Sequence, residues 1–241
     1  MAHHFYQLKE AIQYRINARH HKGFGIHSPY LFHLITSVLQ EKYPFYCFKP
    51  IESLRKKRFN KHSIFSPLKK AHSGQIIFRI IQDAKFKTLL ELGTSSGIET
   101  QYMAFANQKA RCISVTDSDE SAAVAQKGFQ IQGLKQIELH LLKSEEMPET
   151  IIDKLENLDF VLFNKIADPQ KYQDLFRKCL CKRENGSIFV FMNMHESPCK
   201  TQAWENIRTH QEVQVSIDLF DLGIILFNPE LEKKNYVIRN K

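Results

Sequence analysis

The spacing of apolar residues changes along the chain. Phe5, Leu8, Ile12 and Ile16 recur at three- and four-residue intervals, which predicts a helix over residues 5–18. Lys22-Gly23-Phe24-Gly25 interrupts it. Ser28-Pro29 then reads as a helix start, with Ser28 as N-cap and Pro29 in the first turn, followed by Leu31, Phe32, Leu34, Ile35 and Leu39. Residues 41–68 are basic and aromatic and contain Pro44, Pro50 and Pro67, which predicts an irregular linker. From about residue 69 the period alternates. A helix over 69–84 precedes short apolar strands at Thr88–Leu92, Arg111–Val115, Ile137–Leu142, Phe160–Phe163 and Ser187–Phe191, each followed by a helical stretch. Asp119 is the expected cap of the second of these helices and Gly133 its stop; Asp168-Pro169 and Ser197-Pro198 open two others. Val213–Leu219 and Gly223–Asn228 follow one another without a helix and predict a hairpin. Five strand–helix units in series predict an α/β fold: a doubly wound, mostly parallel sheet with helices on both faces, a C-terminal antiparallel hairpin and an N-terminal helical extension. The expected division is an extension and linker over 1–68 and the sheet domain over 69–241.

Charge sharpens that division. Residues 1–72 hold thirteen Lys or Arg against three acids, and the remainder holds twenty-one against twenty-three, so the net +8 originates in the N-terminal third. A basic appendage on a near-neutral domain suits an anionic partner: nucleic acid, an acidic protein or a phosphorylated small molecule. The densest run is Arg55-Lys56-Lys57-Arg58, with Lys61 and the aromatics Phe45, Tyr46 and Phe59 nearby; a solvated loop explains it equally well. No apolar run has the length of a membrane span, and the first residues lack an apolar signal core, so the expected location is cytoplasmic. The five cysteines are scattered, without zinc-site spacing, and are expected as reduced thiols.

The candidate chemistry centres on Thr88-Leu89-Leu90-Glu91-Leu92-Gly93-Thr94-Ser95-Ser96-Gly97, a buried strand running into a glycine turn and a helix. Gly93 permits a sharp turn and close approach of a ligand, Gly97 precedes a helix N-terminus with free amides, and Glu91 is placed to meet a cationic ligand group. The spacing is E-x-G-x-x-x-G, unlike the G-x-G-x-x-G of dinucleotide sites.

This stretch, together with Gly25-Ile26-His27-Ser28-Pro29 and the segment from Phe189 to Phe227, resembles the class I S-adenosylmethionine (SAM) methyltransferases, in particular bacterial O-methyltransferase-type proteins. The resemblance implies a Rossmann-like fold and SAM as cofactor, held by Glu91, Gly93, Thr94, Ser95 and Gly97. It also implies an acid at the end of the second strand; gapless comparison puts Thr116 there and Asp117 one step later. At the third strand Leu142-Lys143 stands where the family has Gly-Asp, at the fourth Asn164 replaces a metal-binding acid, and at the fifth Met192-Asn193 replaces an acidic pair. Hard cations prefer carboxylate oxygens, so no metal site is expected. Asn164 and Asn193 become acceptor-pocket candidates, and His195 the candidate base. Tyr102 is expected in the core, and Trp204 in the core or on an aromatic interface surface. Three readings stay open: a metal-independent methyltransferase acting on an unidentified acceptor, an inactive methyltransferase-fold subunit that docks an acidic protein through its basic N-terminus, and a nucleic-acid-binding or RNA-methylating protein.

Overall fold

The computed structural model describes residues 2–19, 23, 25–58, 67–143, 146–166 and 168–239. Lys61 and Phe59, and the side chain of Arg58, lie outside the described residues. The elements, in chain order, are α1 (Ala2–Asn17), α2 (Pro29–His33) continued by a π-helical stretch (Leu34–Leu39), α3 (Phe48–Arg58), α4 (Pro67–Ala84), β1 (Thr88–Leu92), α5 (Ile98–Ala106), β2 (Arg111–Thr116), α6 (Asp119–Gln132), β3 (Ile137–Leu141), α7 (Pro148–Asp153), β4 (Leu158–Phe163), α8 (Pro169–Leu180), β5 (Arg183–Met192), α9 (Pro198–Arg208), β6 (Val215–Asp218), β7 (Leu222–Leu226) and β8 (Lys234–Val237).

The strands form one sheet in the order β3-β2-β1-β4-β5-β7-β6-β8. β3, β2, β1, β4 and β5 are parallel, β7 is antiparallel to β5 and to β6, and β8 runs parallel to β6. The expected α/β sheet with a reversed C-terminal hairpin is therefore present, and β8 is an edge strand that the sequence reading did not anticipate. Strand alternation divides the core in two. Leu89, Cys112, Phe160, Leu162, Ile188 and Val190 pack with α4 residues such as Ile76, Ile77 and Ile80. Leu90, Leu92, Ile113, Val161, Phe163, Phe189 and Phe191 pack beneath α8 and α9, against Phe176 and Trp204. Phe163 stacks on Phe191 with centroids 4.3 Å apart. Trp204 and Tyr102 lie in the core as expected.

Helix caps follow from local chemistry. Ser28 accepts from the Leu31 amide, Asp168 from that of Gln170 and Ser197 from that of Lys200. The cap of α6 is Ser118 rather than Asp119, which instead lies in the first helical turn, where a carboxylate favours the helix dipole. Residues 48–58, expected to be irregular, are helical. Phe48, Ile51 and Cys47 insert beside Phe78, Ile98 and Tyr102, and this small satellite core holds α3.

The N-terminal helix inverts the usual rule. Tyr6, Glu10 and Tyr14 face the domain, while Phe5, Leu8, Ile12 and Ile16 are 74%, 60%, 53% and 73% exposed.

Candidate functional site

After β1 the chain turns at Gly93 (φ 88°) and again at Gly97 (φ 71°) before entering α5. Both glycines are required by the protein's own packing. A Cβ on Gly93 would lie 2.6 Å from the Lys165 carbonyl oxygen, because the main chain leaving β4 crosses it. A Cβ on Gly97 would lie 2.8 Å from both the Ala125 Cβ and the Phe129 ring on α6. The backbone that approaches Gly93 is that of Lys165, whose amide donates to the Gly93 carbonyl at 3.1 Å. The amides of Gly93 and Thr94 both donate to the Val115 carbonyl, at 2.9 and 2.8 Å. Thr94 is buried, and its hydroxyl hydrogen-bonds that of Ser114. Ser95 is half-buried at the crest of the loop.

Glu91 does not face a ligand. It is 0% exposed and enclosed by protein donors: the hydroxyls of Thr100 and Ser114 donate to Oε2, and the Asn164 amide to Oε1 at 2.8 Å. Burial pushes its pKa up, against the three hydrogen bonds that hold it down. The physical reason is the strand period. Glu91 shares a face with Leu89 and points beneath α5, not beyond the strand end. Asn164 likewise donates to Glu91 and is 7% exposed. Thr100 and Ser114 belong to this cluster and were missed. A carboxylate in an otherwise apolar strand was the available signal that buried partners must exist.

The neighbouring strand ends are more open. β2 ends at buried Thr116, whose carbonyl accepts from Leu142 at 2.8 Å, and Asp117 follows it, exposed and already in a bend. Lys143 is exposed; its amide donates to the Glu146 carboxylate at 3.0 Å. Asn193 is half-buried with φ 56°, a left-handed conformation that asparagine tolerates, and its main-chain N–H donates to the Asp221 main-chain carbonyl at 3.0 Å.

His195 stands two residues on. Its Nε2 hydrogen-bonds Asp218 Oδ2 at 2.8 Å, its ring stacks on Phe220 at 5.3 Å, and its Nδ1 faces Glu10 of α1 at 3.6 Å without a hydrogen bond. Burial pulls the histidine pKa down, but the hydrogen bond and charge of Asp218, with the charge of Glu10, outweigh it and leave the pKa raised. Asp218 was legible as an acid inside the apolar run Val215–Leu219, and Glu10 is the lone acid among the first forty residues; neither received a role from sequence. α1 seals this corner: Tyr6 donates to Thr201 at 2.8 Å, and Tyr14 donates to the Ile238 carbonyl and packs 5.2 Å from Phe220.

The basic run divides. Lys56 and Lys57 are exposed, whereas Arg55 is 3% exposed and held by Glu52, which also accepts from Tyr102 at 2.7 Å. Arg55 is thus a structural ion pair and not a surface cation. Among the described residues, no group of three or more His, Cys, Asp or Glu side chains converges to hold a metal ion, and no helix is long and apolar enough to cross a membrane. The buried Met192 thioether and the engaged Asn164 amide do not fit a hard cation. Cys179 is buried and Cys181 exposed, and the five cysteines are free.

A parallel sheet of this order, covered on both faces and closed by an antiparallel strand pair, is the class I methyltransferase fold. It is shared with a SAH-bound methyltransferase from Podospora anserina (TM-score 0.60, 14% identity, 78% of this chain and 90% of that one) and with an O-methyltransferase from Bacillus cereus in complex with SAH (TM-score 0.57, 16% identity, 79% and 95%). A catechol O-methyltransferase from Niastella koreensis is 29% identical over 126 residues, 51% of this chain and 56% of that relative, so the match spans little more than half the relative's length. No protein-family model matches the chain.

Proposed function

We propose that the protein is a SAM-dependent, metal-independent methyltransferase whose acceptor is a small molecule. The observation that carries this reading is the switch in strand order between β1 and β4. There the chain runs outward to β2 and β3 on one side and to β4 and β5 on the other, and on sheets of this kind ligands bind in a crevice beyond the strand carboxyl ends at such a switch. The Gly93–Gly97 loop and Asp117 border it, and the solved relatives that share the fold are bound to SAH.

Within that crevice the exposed Asp117 carboxylate is the group suited to accept hydrogen bonds from a sugar's hydroxyls, and Ser95 with the loop backbone would flank the cofactor. Bound SAM supplies an electrophilic methyl group; the protein's task is alignment, which can account for most of the rate. Glu91 acts indirectly, by tying Thr100 at the start of α5 to Asn164 at the end of β4, so the two sides of the crevice keep their spacing. On the acceptor side, Asp218 orients the His195 ring through Nε2 and leaves Nδ1 to take a proton from a hydroxyl. That nitrogen is covered by Glu10, so access requires α1 to shift.

A specific observation supports a second reading. Glu91, Thr94, Asn164 and His195 all make their polar contacts to other protein groups, as expected of a scaffold whose pocket was repurposed, with exposed Lys56 and Lys57 available to an acidic protein or to nucleic acid. Incubating the protein with SAM and a small-molecule extract of its source cells, and measuring S-adenosylhomocysteine by mass spectrometry, separates the two. Release that is abolished by His195→Ala is expected of the enzyme; no release with any extract supports the scaffold.

A further inference from the structure

The segment from Glu41 to Lys57 sorts its charges by side. Its two acids make internal contacts: Glu41 accepts from the main-chain N–H groups of Lys42 and Tyr43, and Glu52 accepts from Arg55 and from Tyr102. Lys42, Lys49, Lys56 and Lys57 are exposed. On α3 the lysines at 49, 56 and 57 share the outer side with Ser53, while Phe48, Ile51 and Arg55 are buried on the inner side. Two aromatic rings stand on the same segment. Tyr43 and Tyr46 are 77% and 71% exposed, and each is held in place by the domain. Buried Arg79 donates to the Tyr43 carbonyl at 3.2 Å while Glu41 accepts from its N–H at 2.9 Å, so the backbone is fixed and the ring projects outward. Tyr46 packs edge-on against Phe105 with centroids 6.1 Å apart, and its hydroxyl accepts from Gln108 at 3.3 Å.

We propose that this surface binds single-stranded nucleic acid, with Lys49, Lys56 and Lys57 on the phosphates and Tyr43 and Tyr46 stacking on bases. A lysine row beside exposed aromatic rings is the combination that sequence-tolerant binding of single strands uses. The phosphates supply the negative charge, and every base has a π-face to stack. The scale suits it. Lys49 and Lys56 are separated by ~10 Å along α3, about three nucleotides at the spacing of a stacked strand. The rings also choose among anionic partners. A duplex keeps its base faces stacked inside and offers none to a tyrosine. An acidic peptide answers the lysines alone. A face kept charged for solubility has no need of two exposed rings in fixed poses. Arg55 is excluded from the contact set, since it is buried against Glu52. The inference concerns a surface on α3 and the segment before it, and it is independent of whether the crevice binds SAM.

Fluorescence anisotropy tests it on the full chain without SAM, using a short labelled oligouridylate across about 50–200 mM salt. The expected result is saturable binding whose log affinity falls with log salt at a slope of about −2 to −3, as three or four neutralised phosphates give. The triple variant Lys49→Ala, Lys56→Ala, Lys57→Ala should remove about 2 from the size of that slope. The pair Tyr43→Ala, Tyr46→Ala should weaken binding about tenfold or more with the slope unchanged, because stacking releases no counterions. The control pair Lys154→Ala, Lys171→Ala, exposed positions in the layer of α7 and α8, should change neither. Circular dichroism is expected to be the same for every variant, since the substituted side chains are exposed. No binding at low salt overturns the proposal, and so does affinity indifferent to the tyrosine pair. Poly-glutamate or duplex RNA that competes as well as the single strand also overturns it, the first in favour of an acidic protein partner.

Discussion

Replacing Gly97 with alanine tests whether the glycine loop is shaped by packing or by a ligand. The residue has φ 71°, and the added Cβ would lie 2.8 Å from both Ala125 Cβ and the Phe129 ring. A left-handed conformation costs an alanine about 1 kcal/mol, and forcing a methyl into a filled core costs about 1–3 kcal/mol more. The expected loss for Gly97→Ala is thus about 2–4 kcal/mol without ligand, read as a lower urea midpoint at unchanged slope. Phe129→Leu removes the ring edge that the methyl strikes. In that background the cost of Gly97→Ala is expected to fall by about 1 kcal/mol, a favourable coupling in a double-mutant cycle. A Gly97→Ala protein within about 0.5 kcal/mol of the wild type, or a cost indifferent to Phe129→Leu, refutes the packing explanation and returns the glycine to a ligand role.

Glu91→Leu is expected to cost about 3–5 kcal/mol in denaturant melts, because the Thr100, Ser114 and Asn164 donors lose their shared acceptor in the interior; a loss below about 1 kcal/mol would show that these groups re-pair. His195 has a raised pKa in the folded protein, so its stabilisation is fully present below about pH 6.5, its unfolded value, and is lost as pH rises through the folded value. The stability gap between wild type and His195→Gln should therefore narrow as pH rises above about 6.5, and urea midpoints that keep a constant or growing gap would contradict the ion-pair picture. Asp117→Ala is expected to weaken SAM binding about tenfold, read by thermal shift, with the unliganded melting temperature unchanged because the side chain is exposed; unaltered affinity would remove Asp117 from the site.

The sheet was legible because its strands are short apolar runs separated by turn and cap residues, and the central runs β1, β2 and β4 are buried on both faces over most of their length. Cap chemistry located α8 and α9 correctly because Asp168-Pro169 and Ser197-Pro198 act locally. Two structural features depended on distant contacts and could not be read from the chain. α3 forms in a proline-containing basic stretch because Phe48 and Ile51 find Phe78 and Tyr102 far along the sequence. The apolar stripe of α1 was correctly periodic, but periodicity does not say which side is covered, and here the tyrosine and glutamate side docks. The partners of the candidate site residues were not legible. Strand alternation turns Glu91 inward, and the Asp218–His195–Glu10 cluster joins three segments whose proximity only the fold creates.

The most direct test of the proposed function is a calorimetric titration of the folded wild-type protein with SAM, repeated with Asp117→Arg to place a cation at the crevice rim. Saturable one-to-one binding that Asp117→Arg abolishes, while leaving the melting temperature in place, is the expected result. A folded protein that takes up no SAM at submillimolar concentration would contradict the assignment of the crevice and leave the methyltransferase fold as a scaffold alone.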